Sequence, residues 1–101
     1  MAEFQTPKGM KDYFGSDALL RERMLDAIKS VYRSWGYEPL FTPALEMQNT
    51  LTAKAGDEIK GQLFRIVDSE YALRFDLTVG TARVVANSSM PKPYKRYCVA
   101  P

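Results

Sequence analysis

The sequence contains no histidine and only one cysteine, Cys98. The lack of histidine removes the commonest general base and the commonest zinc ligand from any mechanism confined to these residues. A single cysteine excludes an internal disulfide framework and fits a reducing, cytoplasmic setting. No apolar run approaches ~18 residues, so no membrane-spanning helix is expected and no membrane partner is read. The opening Met-Ala-Glu-Phe-Gln lacks the basic-then-apolar order of a secretory signal. Charge of either sign is also scarce in excess: the formal net charge is +2, too small to announce a nucleic-acid partner. There is no internal repeat and no low-complexity stretch. The turn-rich Thr6-Pro-Lys-Gly-Met-Lys-Asp-Tyr13 lacks the repeated glycines and helix-entry Lys-Ser/Thr of a phosphate-binding loop.

What is present is ordinary in amount and uneven in placement. With 101 residues, 46% hydrophobic and 26% charged, the chain makes one globular domain or a piece of a larger one. Residues 1–50 carry six Lys/Arg against seven Asp/Glu, and residues 51–101 carry eight against five. The mildly basic second half is a weak pointer to an anionic partner. Ser16 to Trp35 reads as one long helix. Leu20, Met24, Ala27, Ile28, Val31 and Trp35 recur at three- and four-residue steps and form an apolar stripe. Ser16 is the expected N-cap and Gly36 the expected stop. The opposite face, with Arg21, Glu22, Arg23, Asp26, Lys29 and Arg33, is expected to be solvated or to flank a subunit contact.

Gly36 to Glu46 is apolar and extended, and broken by Pro39 and Pro43. Proline cannot donate to a central ladder, so this reads as an edge strand or a strand that meets a partner. Met47 to Gly61 has weak helical character. Gln62 to Asp68 reads as a strand that Ser69-Glu70 returns as a hairpin to Tyr71–Phe75. In that last strand Tyr71, Leu73 and Phe75 alternate on one face. A second helix is expected from Thr78 to about Asn87, with Val79, Ala82, Val85 and Ala86 on its apolar side; Gly80 would loosen its first turn. Asn87 to Pro93 is a loop. Tyr94 to Val99 is a final strand, and a strand with nothing after it to cover it points to a piece of a longer fold.

The residue types with most chemistry lie at the junction of the last hairpin strand and the second helix. Asp76 and Thr78 have two readings. In one, Thr78 caps the helix by accepting a backbone N–H, and Asp76 favours the positive end of the helix dipole. In the other, the carboxylate pairs with an ammonium group and the hydroxyl fixes its direction. Arg74 and Arg83 flank the pair. Each is either part of an ion pair, Arg74 with Asp76 or Asp68, or a contact to a phosphate or carboxylate. Lys92, Lys95 and Arg96 interleave with Tyr94 and Tyr97 in a small basic-aromatic cluster, either solvated or facing nucleic acid. Cys98 reads as a buried, inert thiol.

Taken together, these segments resemble the N-terminal part of the catalytic domain of histidyl-tRNA synthetases, a class II family. Thr6 to Tyr13 looks like that family's entry segment. Residues 19–46, ending in Trp35-Gly-Tyr-Glu-Pro-Leu-Phe-Thr-Pro-Ala-Leu-Glu46, resemble class II motif 1, with Pro43 at the motif's proline. Thr50-Leu51, Lys54 and Gly56-Asp57 fit the segment that follows. Residues 73–83, with Leu73-Arg-Phe-Asp-Leu-Thr78 and Ala82-Arg83, resemble the histidine-binding segment in its archaeal and eukaryotic style. Residues 94–101, with Lys95-Arg-Tyr97, resemble the first strand of motif 2.

The resemblance implies an α+β fold, an antiparallel sheet flanked by helices. It implies histidine activation with ATP and Mg²⁺, followed by transfer to tRNA(His), in a cytoplasmic homodimer formed partly through motif 1. Trp35, Tyr37 and Pro43 become candidates for the dimer interface. Asp76, Leu77 and Thr78 become candidates for binding histidine, with Asp76 and Thr78 on its α-amino group. It places no catalytic residue, metal ligand or ATP-gripping arginine within residues 1–101, so these residues alone are expected to be inactive. Two alternatives share these features: the synthetase-like regulatory subunit of ATP phosphoribosyltransferase, and a non-catalytic dimerisation module.

Overall fold

The computed structural model describes residues 4–101, which divide into two compact units, one ending at Gly36 and one running from Tyr37 to Pro101. The first unit is an irregular arm followed by a helix. In the arm, Met10 N–H donates to Pro7 O at 3.0 Å and the Thr6 hydroxyl donates to Met10 O at 3.1 Å, closing a turn. Helix α1 spans Gly15–Ser34. Its start corrects the expected cap: Phe14 occupies the N-cap with no side-chain hydrogen bond, and Ser16 already lies inside the first turn. Its end is as expected. Gly36 N–H bonds to Arg33 O at 3.1 Å while Gly36 takes φ +80°, a left-handed stop open to glycine at little steric cost.

The polar face of α1 is not merely solvated. Arg21 stacks over the Tyr13 ring at 4.6 Å and Lys11 lies 5.2 Å from the same centroid, so cation–π contacts tie the arm to the helix. The apolar stripe is different. No residue of α1 is buried, and Leu20, Met24, Ile28, Val31 and Trp35 are all exposed.

The second unit holds short elements in the order β1 (Glu38–Pro39), β2 (Leu45–Met47), α2 (Gln48–Thr52), α3 (Asp57–Gln62), β3 (Tyr71–Leu73), α4 (Thr78–Asn87) and β4 (Arg96–Tyr97). The α+β class is as expected, but only one of the two ladders is antiparallel. β2 pairs with β3 antiparallel, and β1 pairs with β4 in parallel. The parallel pairing is possible because all the intervening elements supply a long crossover.

The single extended segment expected over Gly36–Glu46 is split between these ladders, with residues 40–44 passing from one to the other. Pro39 fits the reasoning about proline. Glu38 N–H donates to Lys95 O at 3.1 Å and Leu40 N–H to Tyr97 O at 3.0 Å, so the ladder asks nothing of Pro39, which has no N–H to give.

The strand expected over Gln62–Asp68 shrinks to one bridge, Arg65 to Ala72. The hairpin itself forms: Ile66 N–H donates to Tyr71 O at 3.0 Å and Leu73 N–H to Phe64 O at 2.9 Å. Asp68 takes φ 55° at its turn, and the Ser69 hydroxyl both donates to Ile66 O and accepts from Tyr71 N–H. Ala72 is thus flanked by chain on both sides, opposite Glu46 in β2 and Arg65 in the return arm, and is 0% exposed. Leu51, Leu63 and Ala72 form the small core, with Val79 packed against it.

The buried side of β2–β3 is not the face that carries the large apolar side chains. Tyr71 and Leu73 lie on the exposed face with Leu45 and Met47, while Ala72 and Glu46 point inward. The apolar residues alternate as read, but the inward face is decided by what α4 can pair with Glu46.

Candidate functional site

Chain direction changes between Leu73 and Thr78, and both ends of that change are pinned. Upstream, Arg74 N–H donates to Ala44 O at 3.0 Å, one residue beyond the β2–β3 rungs. Downstream, α4 begins at Thr78. Between them Asp76 accepts two bonds from Thr78: the backbone N–H reaches Oδ1 at 3.0 Å and the hydroxyl reaches Oδ2 at 2.9 Å. An ionised carboxylate only accepts, so Thr78 is the donor in both. This corrects the expected cap. Asp76 accepts the helix-start N–H and Thr78 orients the carboxylate. Both side chains are exposed, and Leu77 between them is half-buried. The sequence-predicted trio therefore does come together, as one turn open to solvent.

The next turn of α4 faces inward. Gly80 and Thr81 are buried. The Thr81 hydroxyl bonds to Leu77 O at 2.9 Å and lies 3.7 Å from Cys98 Sγ, so the one thiol is half-buried against α4. Arg83 Nε reaches Glu46 Oε1 at 2.7 Å and Arg83 Nη2 reaches Oε2 at 3.1 Å, a two-point bond to a carboxylate that is itself buried. This pair explains Gly80. A Cβ there would sit 2.9 Å from Thr42 Oγ1 and 3.3 Å from Glu46 Oε2, so glycine allows the close approach that brings Arg83 to Glu46, rather than loosening the turn.

Arg74 does not pair with Asp76 or Asp68. Its Nη1 donates to Thr42 O at 3.0 Å, and to Thr42 Oγ1 and Pro43 O at 3.3 Å each, and its Nη2 donates to Pro101 O at 2.9 Å. Sequence reasoning missed Thr42 and Glu46. The available signal for Glu46 was a lone charge between Leu45 and Met47 in an apolar strand.

The apolar side of α4 also departs from expectation. Val79, Ala82 and Ala86, with Phe75, line a cavity of about 680 Å³ whose other wall includes Leu51, Lys54 and Ile59. Thr78 reaches this cavity, and Val85 is exposed and does not line it. The basic-aromatic cluster is partly drawn into the fold. Tyr97 is buried, and Lys95 lies 5.7 Å from the Tyr37 ring centroid in a cation–π contact. Among the described residues no group of three or more His, Cys, Asp or Glu is arranged to hold a metal ion. Nor is any helix there long and apolar enough to cross a membrane.

The family model described as histidyl-tRNA synthetase matches residues 9–100. The chain belongs to the histidyl-tRNA synthetase family. It is 43% identical over 97 residues to a histidine–tRNA ligase of Aeropyrum pernix, an alignment covering 90% of this chain and 22% of that protein. It is 41% identical over 85 residues to an ATP phosphoribosyltransferase regulatory subunit of Halothermothrix orenii, covering 81% of this chain and 20% of that protein. The crystal structure of histidyl-tRNA synthetase from Nostoc sp. PCC 7120 matches with a TM-score of 0.80 at 31% identity, over 95% of this chain and 24% of that one. The chain therefore spans about a quarter or less of the length of these relatives. Within that span lies the whole Leu73–Arg83 segment, with its turn and its two anchoring arginines.

Proposed function

We propose that these residues supply the amino-group half of the histidine site in a histidine–tRNA ligase. Asp76 would pair with the α-ammonium group, Thr78 would direct it, and Leu77 would line the site. The observation that carries this reading is the Asp76 carboxylate, fixed at both oxygens by Thr78 yet exposed. A charged donor meeting a fixed carboxylate makes a strong, directional bond. The reaction of the complete enzyme is adenylation of histidine with ATP and Mg²⁺, then transfer to tRNA(His) in the cytoplasm. It rests on positioning and charge stabilisation rather than on a protein nucleophile. The Leu73–Thr78 wording fits the archaeal and eukaryotic style of the family.

In calorimetry on the complete ligase that carries this segment, Asp76→Ala is expected to weaken histidine binding by about 30-fold, the loss of a charge-assisted hydrogen bond worth about 2 kcal/mol. Unchanged affinity would overturn the amine assignment. The 101 residues alone are expected to give no ATP–pyrophosphate exchange, and measurable exchange would count against that.

The likeness to a regulatory subunit favours a second reading, in which the amine site is kept and the ligase reaction is absent. ATP–pyrophosphate exchange by the complete protein separates the two. In either reading a homodimer is proposed, with Trp35, Tyr37 and Pro43 at or near the contact; the uncovered apolar stripe of α1 supports it. A module that only dimerises would show no histidine binding at all.

A further inference from the structure

We propose that Arg74 is a positioning residue for the amine site, acting through the chain path and not through a contact with Asp76; this rests on the reading of Asp76 given above. Four acceptors surround its two terminal nitrogens, three of them sharing the two hydrogens of Nη1, and all belong to residues distant in sequence: Thr42, Pro43 and Pro101. Two of the acceptors are the carbonyl oxygens of Thr42 and Pro43, one is the Thr42 hydroxyl and one is an oxygen of Pro101. Among the described residues no Asp or Glu side chain pairs with it, in contrast to Arg83. Its Nε is buried and without a partner, an uncommon cost for a guanidinium. A side chain kept in such a place is fixed by where it must hold the chain.

What it holds is the last firm point before the site. After Arg74 the main chain leaves the ladder, and among the described residues the hydrogen bonds of Asp76 go to Thr78 alone. The next points tied to the body of the unit are Val79, packed on the core, Gly80, against Thr42, and Arg83, on Glu46. Thr42 thus touches both flanks of the turn, through Arg74 on one side and Gly80 on the other. Releasing Arg74 would leave the Asp76–Thr78 bonds intact and let the turn move as a body relative to the sheet. A shift of about 1 Å is enough to weaken a directional charged contact.

The test is a double-mutant cycle on the complete ligase, read by calorimetry with two ligands: histidine, and imidazole-propionate, which lacks the amino group. Arg74→Gln is expected to weaken histidine by about tenfold and to change imidazole-propionate by less than about twofold, with no further loss of histidine affinity when added to Asp76→Ala. An equal loss for both ligands, or full additivity with Asp76→Ala, would overturn the proposal. If Asp76→Ala alone changes nothing, the amine reading fails, and this inference with it. Should Arg74→Gln not fold, Arg74→Lys keeps the charge and loses the two-sided reach. A smaller loss confined to histidine supports the proposal, and a loss shared by both ligands sinks it.

Discussion

The two faces of the β2–β3 ladder differ in a way that inverts the usual rule. The exposed face carries Leu45, Met47, Tyr71 and Leu73, while the buried face carries a carboxylate and an alanine. Burying an unpaired charge is costly, whereas one held at both oxygens by a guanidinium is tolerated. The inward face was therefore set by pairing rather than by hydrophobicity. Glu46 at 6% exposure can face in because Arg83 reaches it, and Arg83 can reach it because Gly80 lets α4 come close.

Three substitutions would break or sharpen this contrast. Glu46→Ala should cost the most, about 3 kcal/mol in urea unfolding, since it strands the Arg83 charge. The figure sits at the low end for a buried pair because the Arg83 side chain keeps 31% of its exposure. Gly80→Ala should cost about 1–2 kcal/mol, as an added methyl meets Thr42 Oγ1. A Gly80→Ala variant as stable as the parent would show that α4 can shift without losing the pair. Leu73→Ser, on the apolar but exposed face, should change stability by no more than about 0.5 kcal/mol. A loss near that of Glu46→Ala would mean that the outer face is covered in solution.

Much of this was legible from residue order alone. Local signals place α1 and α4 to within a residue or so, because periodicity and a glycine stop are written in neighbouring residues. Asp76 and Thr78 stand out for the same reason: they are two residues apart at a junction. The direction of their hydrogen bonds does not follow from sequence, since either could have accepted the helix-start N–H. Nor do the partners of Arg74 and Arg83, which lie 27 to 37 residues away along the chain. Which face of a short strand is buried depends on those distant partners, and so the alternation of Tyr71, Leu73 and Phe75 does not by itself say which face turns inward.

The Thr78 hydroxyl hydrogen is spent on Asp76, and this sets what the turn can recognise. With that proton committed, the side chains of the turn offer only lone pairs: those left on the carboxylate and those on the hydroxyl oxygen. Such a surface rewards a group with several hydrogens to give and gains little from one with a single hydrogen. A protonated amine has three to donate and an alcohol has one. On the proposed amine reading, the turn would therefore distinguish an amino acid from the matching hydroxy acid by counting protons, before any part of the side chain is read.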